Sequence, residues 1–431
     1  LNYDHPELRG IRYAEAEGCF TPTKSAIYDF GLCVQGTGRL YIDGELLISN
    51  AENQRSGPSF LESGTLEETG AKDLIAGDSY RITVQWGCAK TSTRKTPATV
   101  DFGHGGLRFG GCLRIDPEEA IAAAVRLAST VDQVVICAGL GPEWESEGDD
   151  RVSMDLPPNT DKLIAGVLEA NPNTAIVVQS GTPVAMPWSD KAKAIFHAWY
   201  GGNEGGNGIA DVLFGLVNPC GKLPLTFRRR LKDNPTYLNY RSEGGRVLYG
   251  EDVYVGYRYY EQTEVAPLFP FGHGLSYTTF SLSNLELEMR SEDDQLIVRC
   301  TVTNTESAAG AEVVQIYIEP VSPPIRRPVK ELKGFAKQFL ELSQSASVKV
   351  SVDVLRDTSY WDELSGRWCS HVGTYNVLVE TSSAGNHLSG SKKIAKNAIL
   401  VRLISCHDRT FVFFQEASSN TTFVSFQSCP K

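Results

Sequence analysis

The chain has 431 residues, 41% of them hydrophobic and 22% charged, with a formal net charge of −11. That length predicts about three domains, each able to bury a core. The acidic balance argues against nucleic acid or an anionic membrane as the main partner, and no apolar run approaches the ~18 residues needed to span a bilayer. Ten cysteines are scattered from Cys19 to Cys429 without a C-x-x-C pair, so zinc and thioredoxin-like chemistry are poorly supported. Disulfides are compatible with this count, but their connectivity cannot be read from it. The chain opens at Leu1 without Met, a basic segment or an apolar leader, and is expected to be a fragment. Its sole N-glycosylation sequon is Asn420-Thr421-Thr422.

Residues 1–110 read as all-β. Arg39-Leu40-Tyr41-Ile42, Asp43-Gly44 and Glu45-Leu46-Leu47-Ile48 spell a hairpin, because Asp-Gly supplies the positive φ of a type I′ turn. Residues 80–86 alternate with period two, as a strand does. The expected product is a β-sandwich.

The texture changes at Asp116-Pro117-Glu118-Glu119. Asp116 suits a helix N-cap, Pro117 the first helical position, and Glu119 a capping box. A helix is expected through residue 129, a buried strand over 133–138, a helix near 161–170 and a strand over 174–179. Residues 184–188 form a loop with Pro183 and Pro187, 194–200 are an apolar run, and 208–214 read as a helix. Such alternation predicts an α/β domain with a mostly parallel sheet and helices on both faces.

Between that first strand and helix lies Glu143-Trp144-Glu145-Ser146-Glu147-Gly148-Asp149-Asp150-Arg151, with five carboxylates in nine residues. Loops at the C-terminal ends of parallel strands are where α/β domains bind ligands. If the loop is extended, Glu143, Glu145 and Glu147 share one side, roughly 6–7 Å apart. Close carboxylates raise one another's pKa, and a protonated Glu beside an indole suits proton donation to a sugar leaving group. The plain alternative is a solvated acidic loop. Gly139-Leu140-Gly141 does not complete a dinucleotide fingerprint, because Trp144 occupies the third glycine position.

Residues 228–281, rich in Arg, Tyr, Gly and Pro, read as an extended connector. His273, in Phe271-Gly272-His273-Gly274, is expected to be a turn residue rather than catalytic. Residues 282–385 are again all-β, with strands expected over 295–303, 312–318, 347–354 and 374–380, as in an immunoglobulin-like or fibronectin-like sandwich. The tail, 386–431, has apolar patches at 399–404 and 411–414, to which no partner strand can be assigned.

Several stretches resemble glycoside hydrolase family 3, the fungal β-glucosidases. They are residues 143–151, Gly181-Thr182-Pro183-Val184-Ala185-Met186-Pro187-Trp188, Asn218-Pro219-Cys220-Gly221-Lys222-Leu223-Pro224-Leu225-Thr226-Phe227, Gly256-Tyr257-Arg258-Tyr259-Tyr260 and residues 269–277. Arg327-Pro328-Val329-Lys330-Glu331-Leu332-Lys333-Gly334-Phe335 resembles that family's fibronectin type III-like module. Residues 1–110 resemble the protective-antigen-like β-sandwich that one subgroup inserts into its α/β domain. The resemblance implies a multidomain fold: a protective-antigen-like β-sandwich (1–110), an α/β sandwich with a mostly parallel sheet (111–227), the connector (228–281) and a fibronectin type III-like β-sandwich (282–385).

It further implies a secreted retaining β-glucosidase acting on a β-glucoside or oligosaccharide, with no cofactor and no metal. An aspartate nucleophile would come from a (β/α)8 barrel that is not in this chain; Ser189-Asp190 does not replace it. The resemblance puts the acid/base at Glu145, ahead of Gly148-Asp149, with Glu143 and Glu147 as near alternatives. Trp144 and Phe60 are implied as substrate contacts. The competing readings are a non-catalytic carbohydrate-binding protein and a structural protein. Calcium-dependent glycan binding through paired aspartates is disfavoured, because residues 1–110 contain no adjacent Asp pair.

Overall fold

The structure is a computed structural model describing residues 13–95, 105–148, 150–290, 292–306, 308–385, 388–394, 398–402 and 412–416. Asp149, the sequon and parts of both apolar tail patches lie outside these residues. The chain divides into two compact units. The first takes in the described residues up to 134, with 141–146 and 162–174; the second takes in 135–140, the described residues of 147–161, and those from 175 on.

The first unit is built on a β-sandwich. Its strands are β1 (Tyr13–Phe20), β2 (Ala26–Gln35), β3 (Thr37–Ile42), β4 (Glu45–Asn50), the two-residue pair β5 (Ser56–Gly57) and β6 (Gly64–Thr65), β7 (Glu68–Leu74), β8 (Tyr80–Gly87) and β9 (Gly106–Leu113). One sheet runs β1-β8-β3-β4 and the other β7-β2-β9. Their alternate residues close on one core, which includes Phe30, Leu32, Val34, Leu40, Ile42, Ile48, Leu74 and Val84. The β3–β4 turn has the expected geometry, with Asp43 at φ 51° and Gly44 at φ 84°. Asp43 Oδ1 also accepts the Arg81 amide at 2.7 Å, tying the turn to β8.

Helix α1 (Pro117–Ala128) follows. Asp116 caps it, accepting from the amides of Glu118 and Glu119 at 2.8 and 3.1 Å. Next come β10 (Val134–Gly139), α2 (Thr160–Ala170), β11 (Thr174–Gln179), β12 (Ala194–His197) and α3 (Gly205–Leu213). The sheet order is β10-β11-β12, and β11 and β12 run parallel. The apolar run at 194–200 therefore contains a strand of only four residues.

The connector carries a short hairpin, β13 (Ser242–Glu243) and β14 (Arg246–Val247), and the helix α4 (Tyr257–Thr263). His273 lies just after a turn, beyond Gly272 (φ 80°). Its ring stacks on Phe269 at 5.1 Å.

The last sandwich comprises β15 (Phe280–Arg290), β16 (Gln295–Asn304), β17 (Gly310–Val321), β18 (Glu331–Leu340), β19 (Ser345–Asp353), the short helix α5 (Val354–Thr358), β20 (Tyr360–Asp362), β21 (Arg367–Ser370), β22 (Gly373–Glu380) and β23 (Leu388–Ile394). Sheets β15-β16-β19 and β18-β17-β22-β23 enclose a core of Val298, Val302, Val314, Ile316, Val350, Val377 and their neighbours. The tail finds partners that its sequence did not reveal: β23 pairs with β22, and β24 (Ala398–Arg402) pairs with β21 and with β25 (Val412–Glu416).

Buried charge joins α4 to this sandwich. Lys330 Nζ contacts both oxygens of the fully buried Glu380 at 2.9 and 2.8 Å, and lies 3.6 Å from Glu261 of α4. Burial pushes the Glu261 carboxyl up to about 7, against the opposing pull of Lys330. A raised folded-state pKa means that the native state holds the proton more tightly than the unfolded chain. Glu261 therefore contributes stability below the ordinary carboxylate range, and that contribution is lost as pH rises through about 7. We predict that Glu261→Gln flattens the decline in urea midpoint between about pH 5 and about pH 8 and raises the midpoint at the upper end. An unchanged pH slope would mean that Glu261 ionises as freely in the fold as in the unfolded chain.

Candidate active site

The acidic loop leaves β10 through a tight junction. A Cβ at Gly139 would sit 2.2 Å from the Gln179 carbonyl oxygen, and the Leu140 amide donates to that same oxygen at 2.9 Å. Gly139 is thus required by strand contact, which accounts for it without any phosphate. Beyond Gly141 the chain does not extend. The Gly141 carbonyl accepts from the amides of Trp144 and Glu145 at 2.9 and 3.1 Å, coiling residues 141–145 into a turn.

This overturns the extended loop and its alternation, because a main-chain turn within the segment competes with the strand conformation. The three glutamates become inequivalent: Glu145 is half-buried, whereas Glu143 and Glu147 are exposed. Trp144 is 42% exposed. Glu143 is near enough to Arg108 to help raise that guanidinium's pKa, behind the larger effects of the Arg108–Cys33 hydrogen bond and the Glu67 charge.

Residues 150–161 are stitched to residues 180–188. Arg151 Nη2 donates to Thr182 Oγ1 at 2.7 Å and to the Pro183 carbonyl at 2.9 Å. The Ala185 amide donates to the Met154 carbonyl at 2.8 Å. The buried Trp188 donates its indole N–H to Asp161 Oδ1 at 2.8 Å. Ser180 Oγ in turn donates to the Thr182 carbonyl at 2.7 Å. From the connector, the Tyr240 hydroxyl donates to Asp150 Oδ2 at 2.9 Å, and this carboxylate raises the phenol above its usual pKa. Ser189-Asp190 begins a single 3-10 turn after Trp188 and stands on no barrel strand.

Phe60 belongs to a strained loop of the first unit. Phe60, Leu61 and Glu62 have φ of 54°, 51° and 60°, three successive left-handed residues without a glycine. Such a run costs roughly 1–2 kcal/mol per residue and persists only where surroundings impose it. Here Arg94 Nη1 donates to the Gly64 carbonyl at 2.6 Å, and Ser59 Oγ donates to the Thr65 carbonyl at 2.7 Å. The half-buried Phe60 ring lies where Cβ atoms at Gly64 and Gly106 would be, 2.6 and 2.4 Å from its carbons. Leu61, 63% exposed, is the more prominent side chain. Sequence reading placed Arg151 in the acidic stretch without giving it a role, and did not single out Leu61 or Tyr240. Only the tyrosine-rich composition of the connector hinted at the last.

These features amount to an α/β domain with an acid-rich loop at a strand end, followed by a β-sandwich. The chain belongs to glycosyl hydrolase family 3, whose C-terminal domain matches residues 50–277, more than half of its length, while a fibronectin type III-like domain matches 312–383. It is 55% identical over 403 residues to a probable β-glucosidase I of Aspergillus clavatus, covering 92% of this chain and 48% of that protein. A probable β-glucosidase I of Emericella nidulans is also 55% identical, over 89% of this chain and 47% of its own length. The crystal structure of a β-glucosidase from Kluyveromyces marxianus in complex with glucose matches with a TM-score of 0.83 at 42% identity, covering 90% of this chain and 45% of that one. The chain therefore spans about half the length of these relatives.

The Gly139 junction yields a prediction. With the Gln179 carbonyl oxygen 2.2 Å from where a Cβ would sit, Gly139→Ala should destabilise the α/β domain by about 1–3 kcal/mol, the usual cost of overpacking. Urea unfolding measures it, and a loss below a few tenths of a kcal/mol would show that β10 and β11 separate easily.

Proposed function

We propose that this chain supplies the acid/base half of a retaining β-glucosidase that removes terminal non-reducing β-D-glucosyl residues. The observation that carries the proposal is the anchored acidic loop with exposed carboxylates in a chain of family 3. In this reading, the part of the relatives' length that the chain does not span provides a (β/α)8 barrel bearing the aspartate nucleophile. Retention requires two carboxyl groups about 5–5.5 Å apart on either side of the scissile bond. Neighbouring glutamates on one loop do not supply that opposition.

The resemblance implied Glu145 as the acid/base, with Glu147 as an alternative. Two observations favour Glu147: it is the residue immediately ahead of Gly148-Asp149, and its carboxylate is exposed where Glu145 is half-buried. Its roles are to protonate the glycosidic oxygen and then to deprotonate the water that releases the sugar. Trp144 is proposed to offer an indole face to the sugar. Phe60 is proposed to shape the aglycone side through its strained loop, which its packing on Gly64 and Gly106 holds in place. The same reading makes the first sandwich protective-antigen-like and the protein secreted, with domains at 1–110, 111–227, 228–281 and 282–385 and a tail at 386–431. No helix among the described residues is long and apolar enough to cross a membrane.

Two experiments test this. Purified residues 1–431 should release no nitrophenol from the aryl β-glucoside. Turnover by this chain alone, abolished by a substitution within it, would place a complete active site here. In the full-length enzyme, Glu147→Ala should lower turnover of glucosides with poor leaving groups by about 10²–10⁴. Activated aryl glucosides should suffer less, and azide should rescue deglycosylation. If Glu145→Ala gives that pattern instead, the role returns to Glu145.

A further inference from the structure

We infer that Arg151 is the positioning residue of the acidic loop, an inference that rests on the acid/base reading above. Glu147 is exposed and makes its approach to substrate from a segment with little support of its own. Gly148 follows at φ 82°, a conformation open to glycine at no steric cost. The next firm attachment is Arg151, three residues on. One terminal nitrogen, Nη2, meets two acceptors of different kinds, the Thr182 hydroxyl at 2.7 Å and the Pro183 carbonyl at 2.9 Å.

Those acceptors sit on rigid ground. Pro183 and Val184 are buried, the Thr182 carbonyl is held by Ser180 Oγ, and the segment continues from the end of β11. The guanidinium therefore transfers the order of the sheet end to the loop. Below it, the Met154–Ala185 and Asp161–Trp188 bonds already fasten the rest of the segment. Without Arg151 those bonds still hold residues 154–161, while Glu147 and Gly148 are left with only the Tyr240–Asp150 bond beyond them.

Tyr240 adds a second, weaker tie. Its hydroxyl reaches Asp150 Oδ2 at 2.9 Å from a ring that is 69% exposed. This bond links the connector to the residue next to Arg151. Arg151 touches no reacting atom in this account; it acts through the place it gives Glu147.

A lysine keeps the charge but carries it on a flexible stem, without the rigid planar group that aims Nη2 at both acceptors, so it secures the loop less firmly. A displacement of about 1 Å at a reacting group can cost on the order of 10²-fold in rate. The test uses the full-length enzyme with Arg151→Lys and, separately, Tyr240→Phe. Arg151→Lys should lower kcat on glucosides with poor leaving groups by about 10–10² and leave KM within a few-fold. The loss should shrink on activated aryl glucosides, which need less protonation. The basic limb of the kcat–pH profile should also move, and the thermal midpoint should stay close to that of the parent. Tyr240→Phe should show the same leaving-group dependence with a smaller loss, about 2–10-fold.

If Glu147→Ala shows the acid/base pattern and Arg151→Lys loses nothing, or loses equally on all leaving groups, the positioning role fails and the acid/base reading stands. If neither Glu147→Ala nor Glu145→Ala shows that pattern, the acid/base reading fails first. A large fall in the thermal midpoint of Arg151→Lys with uniform loss of activity would assign Arg151 to stability alone and overturn the inference.

Discussion

One buried ammonium organises the second unit. Lys330 Nζ pairs with Glu380 of β22, faces Glu261 of α4 and lies 4.8 Å from the centre of the Tyr317 ring. A buried carboxylate without such a partner would be strongly destabilising, so Glu380 fixes where Lys330 must go. Around it, Glu331 is held by Arg327 at 3.0 Å and by Arg258 of α4 at 3.3 Å, and the Tyr257 hydroxyl accepts from the Leu332 amide at 2.8 Å. These contacts give the connector a defined seat on the β-sandwich. Ion pairs of this kind contribute register more than net stability, since desolvation offsets much of their attraction.

That seat matters for the site because the connector is also what reaches the acidic loop. Tyr240 lies in the same segment as α4, and the stretch between them is held at intervals rather than packed throughout. Tyr249 and Leu248 are exposed by 81% and 66%. The order imposed at α4 is thus passed along a segment with little core of its own. The loop has its own attachment to the end of β11 through Arg151, so it is positioned from two directions.

The elements with local chemical signals were legible in the sequence. Asp-Gly wrote the β3–β4 turn, Asp116-Pro117 wrote the start of α1, and β-branched alternation wrote β16, β17 and β22. What failed was the loop. Its alternating glutamates suggested a strand-like side, but a strand needs pairing or extended backbone. The Gly141 carbonyl instead finds two amides within its own segment. The tail failed for a different reason. The pairing of β23 with β22 and of β24 with β21 joins segments well apart in sequence, and no local pattern announces such a partner. The left-handed run at Phe60, Leu61 and Glu62 was equally hidden, because none of those residues favours positive φ.

The acidic loop owes the placement of its carboxylates to contacts within the chain. Placement is local: a turn at Gly141, a left-handed glycine at 148 and a guanidinium clamp at 151 set where the loop carboxylates lie. In general, a carboxyl keeps its proton near neutrality only through desolvation or a like charge beside it. The exposure of Glu147 and Trp144 fits that arrangement: the loop is tied at its turn and at Arg151, with exposed side chains between the ties.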